Sequence, residues 1–365
     1  MLSLFSSPAE RSTVRTEVIA GLTTFLATMY IIVVNPSILS TVEGMSFPAV
    51  LTATVLVSAF SSIAMGLYAK NPIVLAPGMG INAFFTYAVV LGMGVSYATA
   101  LGIVFWSGVI FLLLSVFKIR TLIVRAIPRQ LRYGVAGGIG LFITFIGFQN
   151  AGFIVRDEAT LVSMGTLDPV GVTFIVGLLI TSVLVVLRVR AALILGIAIS
   201  TVIAVPIGRW WGDAGAMNRG ISTLVTWNGL IAKPDLSLLF RLDIVGSLRY
   251  TYWSVLFVFL FTDMFDSLST FIGVAEAGDL TDSTGEPRNV GRSMIVDACA
   301  TMLSGLLGTS SATSYIESAT GIEEGGRTGL TAAVAGVLFL PFMFFSPLLS
   351  IVPATATAPA LILVG

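Results

Sequence analysis

Four carboxyl groups stand where carboxyl groups are costly. Asp263, Asp266, Asp297 and Glu317 each interrupt a long apolar run, and no Lys or Arg lies at comparable depth in those runs. A carboxylate near the centre of a bilayer is expensive, so such residues face a cavity and mark the path of a substrate or ion. At least one of them is expected to gain and lose a proton during function, with Asp263, Glu317 and Asp297 the candidates for coupling. Asp263 and Asp266 are three residues apart, which on a helix gives them a common face. Asp297 lies in Ile295-Val296-Asp297-Ala298-Cys299 and has two readings. Either it bonds a neighbouring backbone or hydroxyl group in a tight helix contact, or it stands on the proton path.

The rest of the composition removes other chemistries. Histidine is absent, so imidazole relays, Ser-His-Asp and Cys-His catalysis and the usual zinc sites are all excluded. The single Cys299 allows no disulfide framework within one chain. No cofactor is implied, and 19 basic against 19 acidic residues leave no cationic surface for nucleic acid.

Of the 365 residues, 56% are hydrophobic, and the solvent for most of the chain is lipid. Apolar runs near the ~20 residues that cross a bilayer as helix fall at 17–37, 48–69, 98–117, 133–153, 170–187, 190–207, 250–273, 290–308 and 328–346. A further one begins near Pro353. Arg11 and Arg15 precede the first run with no cleavage site after it, so it reads as a membrane helix rather than a removable signal. Most Lys and Arg fall on one side of these crossings, including the run from Lys118 to Arg132, which predicts a cytoplasmic N-terminus. Trp210, Trp211 and Trp227 in the connection 209–249 read as headgroup anchors.

Two stretches, 72–92 and 309–325, are apolar but interrupted. The first runs Asn71-Pro72-Ile73-Val74-Leu75-Ala76-Pro77-Gly78-Met79-Gly80-Ile81-Asn82-Ala83-Phe84-Phe85, extended through the prolines and helical from near Asn82. The second runs Gly308-Thr309-Ser310-Ser311-Ala312-Thr313-Ser314-Tyr315-Ile316-Glu317, extended and then helical from near Ile316. Irregular backbone at membrane depth must be buried or line a wet cavity. Each stretch is third in its series of crossings, and seven crossings precede residue 210, so a second copy sits inverted. Paired interrupted segments at matching positions point to a midplane binding site in a transporter made of repeats. Half-helix N-termini supply N–H donors and Asp263 and Glu317 supply acceptors, which suits a compact flat heterocycle. Phe84, Phe85, Tyr315, Phe261 and Phe265 are the candidates for an aromatic wall.

At these residues the sequence resembles the nucleobase and ascorbate transporters of the second nucleobase:cation symporter class. The likeness is to their AzgA-like branch of adenine, guanine and hypoxanthine permeases. It rests on Ala76 to Phe85, Thr262-Asp263-Met264-Phe265-Asp266, Ser314 to Ile322 and Gly325-Gly326-Arg327-Thr328-Gly329-Leu330-Thr331. The resemblance implies an all-α polytopic membrane protein of two inverted repeats of seven segments, the third and tenth each a short strand leading into a half-helix. About twelve of the fourteen segments would be present. The repeats would be 1–210 and 250–365, joined by an extracytoplasmic connection 211–249. A core of about 16–118 plus 250–347 would move against a gate of about 119–210 plus 348–365. A purine base would be held by Glu317 and by Asp263 or Asp266, with Gly80, Asn82, Ala83 and Phe84 opposite. Thr313, Ser314 and Tyr315 would lead into the tenth segment. Uptake across the cytoplasmic membrane would be coupled to protons, with sodium the other candidate ion, and a homodimer is the compatible assembly.

The residues are open to three other readings. An anion permease of the same repeat architecture would use the half-helix N-termini but would not want carboxylates facing its substrate. An intramembrane aspartyl protease would want a Gly-x-Gly-Asp motif, which is absent. A channel would want its broken segments repeated around a ring.

Overall fold

A computed structural model describes residues 5, 12–117, 129–165, 169–210, 229–278, 280–281 and 287–365 of the chain. Lys118, Arg120 and Arg125 of the basic run, and Trp211 and Trp227, lie outside the described residues. The chain forms two compact units, Met1–Ala136 with Lys233–Phe344 and Gly137–Ala232 with Phe345–Gly365.

In the first unit, the opening crossing is not one helix. It runs as α1 (Val14–Thr28) and α2 (Ile31–Leu39), separated by Met29 and Tyr30. The Thr28 hydroxyl donates back to Thr24 O at 2.9 Å at this break, competing for a carbonyl of the helical ladder. α3 (Phe47–Ala64) starts on a Ser46 cap with Pro48 in its first turn and ends in a π-helical turn, Met65–Ala69. Serine and threonine side chains cap α1 and α3 at Thr13 and Ser46, satisfying N–H groups that helix starts leave free.

The first interrupted stretch is strand β1 (Leu75–Pro77) followed by α4 (Met79–Ala83), which widens into a π-helix over Phe84–Gly92. The helix therefore begins three residues before Asn82. Gly78, still extended, is the N-cap residue, and the helix starts directly after it at Met79. α5 (Tyr97–Val116) completes the first series.

The second series repeats the pattern with α9 (Trp253–Gly278), α10 (Val290–Leu307), strand β4 (Ala312–Ser314), α11 (Ser318–Glu323) and α12 (Gly329–Phe339). Here the helix starts two residues after Ile316, with Glu317 as its N-cap residue.

Strands β1 and β4 pair antiparallel, Leu75 with Ser314, Ala76 with Thr313 and Pro77 with Ala312, and all six residues are buried. Their backbone groups need partners away from water. The pairing provides some, and Ser62 Oγ accepts from Leu75 N at 3.1 Å while Ser267 Oγ accepts from Ser314 N at 3.2 Å. Gly78 is required sterically, because a Cβ there would come within 2.9 Å of the Thr313 hydroxyl. Since the strands run in opposite directions, α4 and α11 leave the pair in opposite directions too.

The second unit contains the body of α6 (Arg129–Asn150), a hairpin of β2 (Ile154–Asp157) and β3 (Leu161–Met164), then α7 (Pro169–Val186), α8 (Ala192–Trp210), α13 (Ser346–Leu349) and α14 (Ala354–Val364). Ala151, Phe174 and Ala358 form its small core. The hairpin was not expected from hydropathy. Its residues are largely exposed, and Asp157 closes the turn by accepting from Ala159 N and Thr160 N at 2.8 and 2.9 Å.

Candidate functional site

The four acids are set by α9, α10 and the N-cap of α11, all within the first unit, and they separate into two groups. Asp266 and Glu317 form the accessible group: Asp266 is exposed and Glu317 half-buried. Each acts electrostatically on Tyr30 and Tyr315. Thr313 stands beside Asp266. Glu317 is held: the Tyr30 hydroxyl donates to its Oε1 at 2.7 Å. Tyr315 donates to Pro77 O at 2.6 Å, which ties the second broken segment to the first.

Asp263 and Asp297 form the enclosed group, 1% and 0% exposed. Asp263 Oδ2 accepts from Thr301 Oγ1 at 2.5 Å and from Ser311 Oγ at 2.7 Å, while its Oδ1 meets no protein partner. Neither Asp297 oxygen makes a geometrically sound hydrogen bond, although the Ser267 and Ser314 hydroxyls face it. Asp263 and Asp297 interact electrostatically across α9 and α10. Helical spacing puts Asp263 and Asp266 on a common face but about 60° apart around the axis. That angle is enough for one to be enclosed and the other open.

Opposite, Gly80 and Phe84 are half-buried and Asn82 and Ala83 are buried. The Ser310 hydroxyl donates to Asn82 Oδ1, so the amide presents Nδ2, which is buried without a protein partner. A donor is thereby fixed on α4 and acceptors on α9 and α11. Phe85 is fully buried against Phe259, as packing rather than wall, whereas Phe84 meets Phe259 edge-on at 5.2 Å and stays partly accessible.

Sequence reasoning missed Tyr30 and Glu17. Glu17, on α1, is 0% exposed and accepts from Arg327 N at 3.0 Å, Thr328 N at 3.2 Å and Thr331 Oγ1 at 2.6 Å, at the start of α12. Arg327 Nη1 in turn donates to Ile322 O at 2.6 Å and Gly326 O at 2.9 Å, just past the half-helix that begins at Glu317. Arg288 Nη2 donates to Arg327 O at 2.9 Å and Lys70 O at 3.1 Å, joining the exit of one broken segment to the entry of the other. Together these groups fix the ends of the segments whose other ends carry Glu317 and Asn82.

Two broken segments crossed as antiparallel strands, with buried acids beside them, define a membrane transporter of the inverted-repeat class rather than an enzyme. The transmembrane domain of a cyanobacterium bicarbonate transporter, BicA, has this fold, with a TM-score of 0.71 at 14% identity over 99% of this chain and 90% of that one. Residues 15–365 match the Xan_ur_permease profile, and the chain belongs to this Permease family and is an integral membrane protein. Adenine permease AdeQ of Escherichia coli K12 is 42% identical over 99% of this chain and 79% of its own length. Guanine/hypoxanthine permease PbuO of Bacillus subtilis 168 is 41% identical over 99% of this chain and 82% of its own.

Proposed function

We propose that the protein takes up a purine nucleobase, adenine, guanine or hypoxanthine, across the cytoplasmic membrane with its N-terminus on the cytoplasmic side. The observation that carries this reading is the carboxylate of Glu317, oriented by Tyr30 at the start of a half-helix and next to accessible Asp266. Two such acceptors suit the ring N–H and amino groups of a flat heterocycle, each charge-assisted bond being worth about 1.5–3 kcal/mol. Asn82 Nδ2, buried without a protein partner, is a donor held behind the surface on that side. Gly80 and Phe84 form the wall on that side with buried Ala83 behind them, and Thr313, Ser314 and Tyr315 shape the approach to Glu317. The names of AdeQ and PbuO support the substrate class. An anion finds only like charge at these carboxylates, so the bicarbonate transporter's likeness supports the fold and not that cargo.

In this reading Asp266 and Glu317 meet the base, and enclosed Asp263 and Asp297 carry the coupling proton. The first unit serves as the moving core and the second as the gate of an elevator. The test is uptake of radiolabelled adenine, guanine and hypoxanthine into proteoliposomes, with unlabelled bases and sulfate as competitors. Competition by bases alone, abolished in Glu317→Gln protein that still inserts, is the expected result. Undiminished uptake by that variant overturns the site, and competition by sulfate overturns the substrate class.

A further inference from the structure

Helices α3 and α10 pack beside each other in the first unit and leave between them a groove of about 380 Å3. Its floor is made of small buried residues, Ser61 and Ala300, and its rim of bulky exposed ones, Phe60 and Tyr68, 53% and 50% exposed. From Phe60 to Tyr68 the rim follows about 12 Å of helix, at 1.5 Å per residue. Almost all of the lining is carbon. In hydrocarbon, a channel of this shape loses dispersion contacts unless something chain-like fills it.

One end of the groove has a different character. The π-helical turn Met65–Ala69 closes α3 and carries Tyr68, and the Arg292 guanidinium sits 5.9 Å from the centre of its ring. Arg292 is exposed and makes no ion pair among the described residues. It also stands in the first turn of α10, where Asn289 provides no side-chain cap, so the positive end of the helix adds to its charge. Guanidinium is the side-chain group best matched to phosphate oxygens. A cation at the helix end, beside an aromatic ring, lies at headgroup level while the groove runs inward from it.

Apolar channel and cationic mouth together fit a ligand with one long chain and an anionic head. We propose that this groove binds an anionic glycerophospholipid, its acyl chain along Ser61 and Ala300 and its phosphate on Arg292.

Cys299, the only thiol in the chain, is exposed on the groove and reports on its occupancy. The full chain is placed in nanodiscs of phosphatidylcholine, with or without phosphatidylglycerol, and alkylation of Cys299 by N-ethylmaleimide is followed by intact mass. Phosphatidylglycerol is expected to slow alkylation severalfold, and Arg292→Gln to remove that difference. Native mass spectrometry is expected to find phosphatidylglycerol retained by the parent protein and lost from Arg292→Gln. Ala300→Trp fills the channel while leaving the arginine in place, and retention is expected to be lost there too. Equal alkylation rates in both lipids overturn the proposal, as does protection or lipid retention that survives either substitution. Protection that follows protein density in the disc instead of lipid composition also overturns it, and assigns the groove to a second copy of the chain.

Discussion

Tyr30 and Glu317 are 287 residues apart in sequence, and the hydroxyl of one donates to the carboxyl of the other at 2.7 Å. The bond joins the break in the first crossing to the start of the half-helix in the second repeat. It restricts the carboxyl plane, so in the proposed site the acceptor would be oriented before a base arrives. Pre-orientation of this kind lowers the cost of binding.

Replacing Tyr30 with Phe removes that donor and keeps the ring. The bond is present before a base binds, so what binding loses is its orienting effect, and base affinity is expected to fall severalfold. Uptake kinetics in proteoliposomes are expected to show this as a raised KM, with the maximal rate changed much less. An unchanged KM would mean that Tyr30 only packs.

Glu17 makes a prediction about stability. Ala at this position leaves the backbone N–H groups of Arg327 and Thr328 unsatisfied in a buried site, and leaves the Thr331 hydroxyl only its long contact to Glu17 O at 3.4 Å. The expected loss is about 3–5 kcal/mol, seen as a lower midpoint in thermal unfolding of detergent-purified protein. Glu17→Gln keeps one acceptor and is expected to fall between the parent and the Ala variant. Because Arg327 and the half-helix α11 depend on this end of α12, both variants are also expected to weaken base binding.

Gly78 and Thr313 offer a paired test of the strand crossing. A methyl group at residue 78 meets the Thr313 hydroxyl at 2.9 Å and its methyl at 3.0 Å. Overpacking of this sort costs about 1–3 kcal/mol, so Gly78→Ala is expected to lower the unfolding midpoint and base uptake together. Adding Thr313→Ala removes the obstructing atoms and is expected to restore the midpoint. The backbone at Gly78 has φ −72° and ψ 129°, open to any residue, so the effect is steric and not conformational.

The broken segments were legible because their residue types conflict with their depth. Pro72, Pro77 and Gly78, and the run from Thr309 to Ser314, do not continue a helix, yet they lie in apolar sequence. Only paired or cavity-lining backbone resolves that conflict, and β1 with β4 is the pairing. Glu317 was legible for the same reason. Tyr30 was not, because Met29 and Tyr30 carry no helix-breaking signal and the partner is distant in sequence. Glu17 was hidden by its place near the start of the first run, where acids are ordinarily at the aqueous boundary. The separation of Asp263 from Asp266 depends on where the walls of the site run, and helix periodicity alone gives only their shared face. The β2–β3 hairpin escaped notice because its apolar residues alternate over too short a span to stand out beside the crossings.

The two groups of acids lead to a division of labour that substitution can separate. Asp266 is open beside Glu317, so Asp266→Asn is expected to weaken base binding in any assay, including exchange of labelled for unlabelled base across a membrane with no gradient. Asp263 is enclosed and already bonded to Thr301 and Ser311, groups that also suit the amide of Asn. Asp263→Asn therefore preserves the shape of the site, and exchange is expected to persist. It cannot take up and release a proton, so accumulation driven by a proton gradient is expected to be lost. Asp297→Asn is expected to behave like Asp263→Asn, because the two carboxyls interact and either one alone leaves the pair incomplete. The measurement is a comparison of gradient-driven uptake with gradient-free exchange for the three variants in the same vesicles. If Asp263→Asn abolishes exchange while Asp266→Asn retains it, the assignments of the two residues are reversed. If all three variants lose both activities alike, the acids act as one binding site and no separate coupling pair exists.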